Sequence, residues 1–172
     1  MLAVIALPAL AAGDRRRIDR LRRRFDPRHA AVPAHVTLAF PKAAVDRAAA
    51  RQRVARAAAA TPGIVRGRLG RAETIRTPGP RGWFVVLPVT AGAPALARLH
   101  HRLSRPPLDG NRRGAGPYRP HLTVAARLDR AAAGRVRRMA QGWPAIPLSV
   151  GAIRLAAWDG RTLETVDGRR LG

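Results

Sequence analysis

Two short stretches of this chain read almost alike. Pro33-Ala34-His35-Val36-Thr37-Leu38-Ala39-Phe40 is echoed by Arg119-Pro120-His121-Leu122-Thr123-Val124-Ala125-Ala126. Each holds a histidine and a threonine two positions apart, in an apolar run behind a proline. Strand side chains alternate between faces. His35 and Thr37 therefore share one face and Val36 and Leu38 the other; His121 and Thr123 pair in the same way against Leu122 and Val124. Two such strands brought together across a groove would present two imidazoles and two hydroxyls to one ligand.

That set of groups suits acid–base chemistry on a phosphate. Imidazole titrates near pH 6.5, so it both takes and gives protons around neutrality. One neutral ring can draw a proton from water while a protonated one donates to a leaving oxygen, each transfer typically giving about 10²–10⁴-fold. Thr37 and Thr123 can donate to non-bridging phosphate oxygens as charge grows there. The scheme calls for neither metal nor cofactor, and none is expected. A lone His-x-Thr is most often ordinary surface or core; two in matching contexts outweigh that reading.

The rest of the composition narrows the partners. The chain has 172 residues, 33 Lys or Arg against 10 Asp or Glu, and a net charge of +23. Charge of that size favours a polyanion, with RNA ends or a nucleotide the natural candidates. GC-rich codons for arginine, alanine, glycine and proline offer a second source of the same charge. Aromatic residues make up 4% of the chain, too few for an extended single-strand stacking platform. With no cysteine there are no disulfides and no thiolate metal sites, which agrees with a cytoplasmic location. No apolar run reaches the roughly 18–20 residues of a membrane span. The apolar start, 1–12, lacks a basic stretch ahead of it and is broken by Pro8. A buried first strand over 2–7 is expected there rather than a secretion signal.

The elements that must position the two motifs can be read from periodicity. Helices are expected over 14–25, 43–60, 94–103 and from an N-cap at Asp129 to 141. Strands are expected over 2–7, 34–40, 64–75 (with a bulge at Gly67 or Gly70), 83–89, 118–126, 148–157 and 162–166. Turns are expected at Thr77-Pro78-Gly79-Pro80 and Trp158-Asp159-Gly160. The motifs lie 86 residues apart, half the chain. The expected architecture is therefore α+β: one bilobal domain over 1–172, an internal duplication whose second half starts near 92. Each half would form a helix-backed antiparallel sheet, with a central cleft between two pseudo-symmetric lobes.

With His35-Val36-Thr37-Leu38 and His121-Leu122-Thr123-Val124 in place, the chain resembles the 2H phosphoesterases, the LigT-like or 2′-5′ RNA ligase family. Phe25-Asp26-Pro27, Tyr118-Arg119-Pro120 and Trp158-Asp159-Gly160 support the likeness, which runs over essentially the whole chain. The resemblance implies a bilobal α+β fold with both His-x-Thr pairs lining the cleft. It also implies metal-independent opening of 2′,3′-cyclic phosphates or related diesters, or the reverse 2′-5′ ligation. His35 and His121 would be the acid/base pair, and Thr37 and Thr123 would hold the phosphate.

Tyr118 and Arg119 are candidate substrate-binding residues, Tyr118 to stack on a base or pack at the rim and Arg119 to clamp a phosphate. Arg112 and Arg113, in a loop over 104–117, are candidates for a substrate tail. Trp83 and Phe84 must point to opposite faces, one of them toward the core. His100 and His101 point about 100° apart on a helix, which does not suit a shared metal, and His29 is expected to be exposed. Trp158 reads as packing. The leading function is a monomeric cyclic phosphodiesterase acting on RNA ends or small nucleotides, with no membrane role. The competing reading is a non-catalytic RNA- or nucleotide-binding module with a basic cleft.

Overall fold

The computed structural model describes residues 1–76, 82–109 and 117–172. The expected turn at 77–80, and Arg112 and Arg113, lie outside the described residues. Among the described residues nine strands and four helices follow in the order β1 (Leu2–Ala6), α1 (Ala12–Phe25), β2 (Val36–Lys42), α2 (Arg47–Ala59), β3 (Val65–Leu69), β4 (Glu73–Arg76), β5 (Trp83–Pro88), α3 (Ala93–Leu103), β6 (His121–Leu128), α4 (Arg130–Gln141), β7 (Ile146–Val150), β8 (Ala152–Trp158) and β9 (Leu163–Arg170). Seven strands form one antiparallel sheet in the order β4-β5-β6-β2-β1-β8-β9, and β3 pairs with β7 in a second. The fold is α+β, antiparallel and helix-backed, as the sequence indicates.

Two of the helices start where a side chain satisfies their first backbone N–H groups. Asp46 and Asp129 cap α2 and α4, each accepting from a backbone N–H three residues on, at 2.7 Å. In α1 the buried stripe is Ile18, Leu21 and, unusually, Arg22. In α3 it is Leu96, Leu99 and Leu103, all fully buried. α1 and α4 lie against β6, α2 against β8 and β9, and α3 against β2. β1, all five residues buried, runs through the centre between β2 and β8. No helix among the described residues is long and apolar enough to cross a membrane.

Two single strands expected from the sequence are each two. The stretch 64–75 divides into β3 and β4, and 148–157 divides between β7 and β8; in both cases the two parts join different sheets. The first break falls at Gly70, whose N–H donates to Pro88 O at 2.7 Å. A Cβ there would sit 2.7 Å from the Thr90 side-chain methyl, so a larger residue would have to push Thr90 aside. The second break falls at Gly151. The buried positions change parity at both breaks, from Val65 and Leu69 to Ala72 and from Leu148 and Val150 to Ile153 and Leu155, but a single bulge produces the same slip, so the pattern alone does not separate a bulge from a switch of sheet.

The halves of the chain also share their strands differently from the expectation of one sheet per half. The β4–β5 hairpin from the first half pairs with β6 from the second, and the β8–β9 hairpin from the second half pairs with β1 from the first. The two groups of strands join at β2 and β6 through the pair Val36–Leu122. Asp159 closes the β8–β9 turn by accepting from the backbone of Thr162 and Arg161 and from the Thr162 hydroxyl. Those bonds hold its carboxyl down to about 2. Trp158 packs under the Arg28 guanidinium, 4.8 Å from the ring centre.

Candidate active site

The junction of the sheet is where the two motifs meet. Val36 pairs with Leu122 across the antiparallel strands. Continuing that register by one residue each way sets His35 across from Thr123 and Thr37 across from His121. Adjacent strands are about 5 Å apart, so the four side chains make a compact two-by-two array on one sheet face. Val36, Leu38, Leu122 and Val124, with none of their surface exposed, point the other way into the core. The motifs are thus hydrogen-bonded neighbours in one sheet rather than strands facing one another across a groove. The antiparallel pairing itself relates them by a local twofold axis.

The two histidines are anchored alike. The Nδ1–H of His35 donates to the Pro33 carbonyl and that of His121 to the Arg119 carbonyl, each two residues back and each at 2.8 Å. A carbonyl only accepts, so Nδ1 carries the proton and Nε2 is left for chemistry. The environments then diverge. The Thr37 hydroxyl lies 3.2 Å from His35 Nε2 and donates to it when that ring is neutral. Burial holds the His35 imidazole below its ordinary value, and the Arg22 guanidinium and His121 push the same way. Against them stand the bond to Pro33 and the Asp26 carboxylate. Burial also lowers His121, helped by Arg119 and opposed by its own backbone bond and by Glu73.

The register identifies other residues on this face. Ile5 pairs with Thr37, and Arg154 pairs with Ile5, so exposed Arg154 stands two strands from Thr37. Val86 pairs with both Thr123 and Glu73, and Phe84 with Ile75, which puts half-exposed Phe84 on the face that carries the two motifs. Trp83 packs against the core instead.

Tyr118 and Arg119 are both held by protein partners. The Tyr118 hydroxyl donates to Thr37 O at 2.7 Å, and its ring stacks on His100 at 3.8 Å. Arg119 is ion-paired with Glu73 at 3.0 Å at the exposed rim. His100 donates from Nδ1 to Leu38 O at 2.7 Å, and exposed His101 turns away to Arg105. Among the described residues no group of three or more His, Cys, Asp or Glu is placed to hold a metal ion.

A family model of the 2′-5′ RNA ligase superfamily matches residues 9–162. The chain belongs to that superfamily, the 2H phosphoesterases. Solved structures with the same fold include LigT of E. coli complexed with 3′-AMP (16% identity, TM-score 0.56, covering 99% of this chain and 97% of that one). Others are TT0787 of Thermus thermophilus (18%, 0.58, 99% and 97%) and Usb1 of Kluyveromyces marxianus (12%, 0.59, 96% and 97%). A sequence search of curated proteins found no match. As a 2H phosphoesterase the chain adds three groups to its motifs that sequence reading missed. Arg22 and Asp26 form a buried ion pair at 2.8 Å beside His35, and Glu73 flanks His121. An arginine inside the apolar stripe of α1, with an acid four residues on, was the available signal for the first two. Glu73 carried none.

Proposed function

We propose that the chain is a phosphodiesterase that opens 2′,3′-cyclic phosphates on RNA ends or small nucleotides, with His35 and His121 as the acid/base pair. The observation that carries this is the two-by-two array, with both Nδ1 atoms tied to backbone carbonyls and both Nε2 atoms left for proton transfer. Membership of the 2′-5′ RNA ligase superfamily supports it, as does the related LigT being found with 3′-AMP and with phosphate.

In the reaction a water oxygen bonds to phosphorus while one imidazole takes its proton. The bond from phosphorus to one ribose oxygen breaks, and the other imidazole protonates that oxygen. The hydroxyls of Thr37 and Thr123 donate to the non-bridging oxygens, where charge increases in the transition state. Both proton transfers come from the chain, so the scheme needs no metal ion. With the 5′-hydroxyl of a second ribose in the place of water, the same steps, breaking the bond from phosphorus to the 3′ oxygen, form a 2′-5′ linkage.

Purified protein in excess EDTA is expected to hydrolyse a 2′,3′-cyclic nucleotide. His35→Ala and His121→Ala should each lower kcat/KM by about 10²–10⁴-fold. Full activity in both variants overturns the proposal. The net charge of +23 favours a second reading, a module that binds RNA ends without turnover. That reading expects affinity that falls steeply with salt and survives both substitutions.

A further inference from the structure

The segment leading to the first motif builds a second basic feature. A depression of about 300 Å³ is lined by Arg23, Arg24, His29 and Arg127, together with Phe25 and Asp26. Three arginines and a histidine therefore line one open space. The carboxylate among them does not cancel their charge, because Asp26 is engaged by Arg22 through two bonds, at 2.8 and 3.1 Å. Arg24 also lies over the Phe25 ring, 5.1 Å from its centre. The depression is thus lined by positive groups with an aromatic surface beside them.

Arg127 has a second peculiarity. Its backbone is left-handed, φ 59, inside β6, a conformation that glycine adopts freely and arginine does not. Strain of this kind gathers where a side chain is needed in a particular place. The residue is exposed, and it lines the depression.

The depression is within reach of the catalytic array. Arg127 stands four residues beyond Thr123 on the same strand, about 13 Å of extended chain. Asp26, at its edge, is near enough for its charge to act on His35. We infer that this depression, bordered by Arg23, Arg24 and Arg127, holds a backbone phosphate of an RNA strand whose 3′ end lies at His35 and His121. The placement of that end rests on the proposed phosphodiesterase reading. A strand is favoured over a free anion because the second positive site lies at a fixed distance from the first.

The test compares a labelled tetranucleotide ending in a 3′-phosphate with a 3′-mononucleotide. Binding of each is measured between about 50 and 200 mM salt. The wild-type chain should bind the tetranucleotide at least about tenfold more tightly. Arg127→Gly keeps the fold, since glycine accepts the left-handed backbone. It should weaken tetranucleotide binding about tenfold and reduce its salt slope by about one, leaving the mononucleotide within about twofold. Arg24→Ser should act in the same direction. Equal weakening of both ligands, or of neither, overturns the inference, and so does wild-type binding that ignores strand length. Neither ligand has a ring to open, so a failure of the proposed catalysis would show in turnover of a cyclic nucleotide and leave this measurement intact.

Discussion

The Tyr118 hydroxyl donates a 2.7 Å hydrogen bond to the backbone carbonyl of Thr37. The residue three positions before the second motif histidine thereby holds the strand that follows the first. His100 stacks on the Tyr118 ring, with 11° between planes, and donates to the next carbonyl, that of Leu38. Two successive carbonyls of β2 are therefore taken by side chains from the other half of the chain. Burial pushes the Tyr118 hydroxyl above its ordinary value, so it stays protonated and keeps donating throughout the working pH range.

Tyr118→Phe should accordingly act on alignment more than on binding. Removing one such hydrogen bond costs about 1 kcal/mol, readable as a small drop in Tm. The spacing between Thr37 and His121 would loosen, and an interaction that matters for reacting geometry lowers kcat rather than raising KM. The expected outcome is a kcat lower by about tenfold at nearly constant KM. A rise in KM with kcat unchanged would mean instead that the ring touches substrate.

The pH profile follows from the direction of the two histidine shifts. Both rings are held below the ordinary imidazole value of about 6.5, mainly by burial. The proposed reaction needs one charged ring and one neutral, so kcat/KM should be bell-shaped and centred below pH 6.5. A bound phosphate anion favours the charged rings and moves the kcat profile toward alkaline pH relative to kcat/KM. Glu73→Gln removes the carboxylate that supports the charge on His121, so one limb should move further to acid. A profile centred above pH 7 would contradict this environment for the histidines.

Local pattern made the site legible and nonlocal pairing hid the rest. Alternation in two eight-residue stretches was enough to put His35 with Thr37 and His121 with Thr123, because one buried face fixes the other. It also made Asp129 readable as a helix cap. It could not show that one apolar run enters two sheets at Gly70, since the neighbours that crowd that glycine, Pro88 and Thr90, are distant in sequence. At Gly151 the apolar positions change parity, but the change reads equally as a bulge, because the two strands it separates pair with β3 and β1, far back along the chain. Nor could the pattern show Glu73 beside Arg119, a contact between residues 46 apart. The exchange of hairpins between halves was hidden for the same reason: a strand's face is written in its own residues, its partner is not.

That exchange has a direct consequence. If residues 1–91 and 92–172 are produced separately, neither is expected to fold. In the first, β5 loses β6 and β1 loses β8; in the second, β6 loses both neighbours, β5 and β2. Each fragment would expose edge strands and half a core, and should lack dispersed amide signals by NMR. Mixing the two should restore them. A folded, monomeric first half would show that its hairpins are self-sufficient.

The buried pair Arg22–Asp26 gives the largest expected stability effect. The two side chains are 5% and 6% exposed, and Arg22 also donates to Val32 O at 2.7 Å. The pair thereby fastens the end of α1 to the loop that delivers His35. Removing one partner leaves an uncompensated charge in the interior, which typically costs about 3–5 kcal/mol. Asp26→Asn and Arg22→Met should each lower the denaturant midpoint accordingly. Replacing both, as Arg22→Met with Asp26→Leu, removes the charges together and should recover much of the stability. It would not recover the tie to Val32. Kinetics of the double variant then separate two roles: if the pair only stabilises, kcat/KM returns with the fold, whereas if it also positions His35, kcat stays depressed in a protein whose melting is restored.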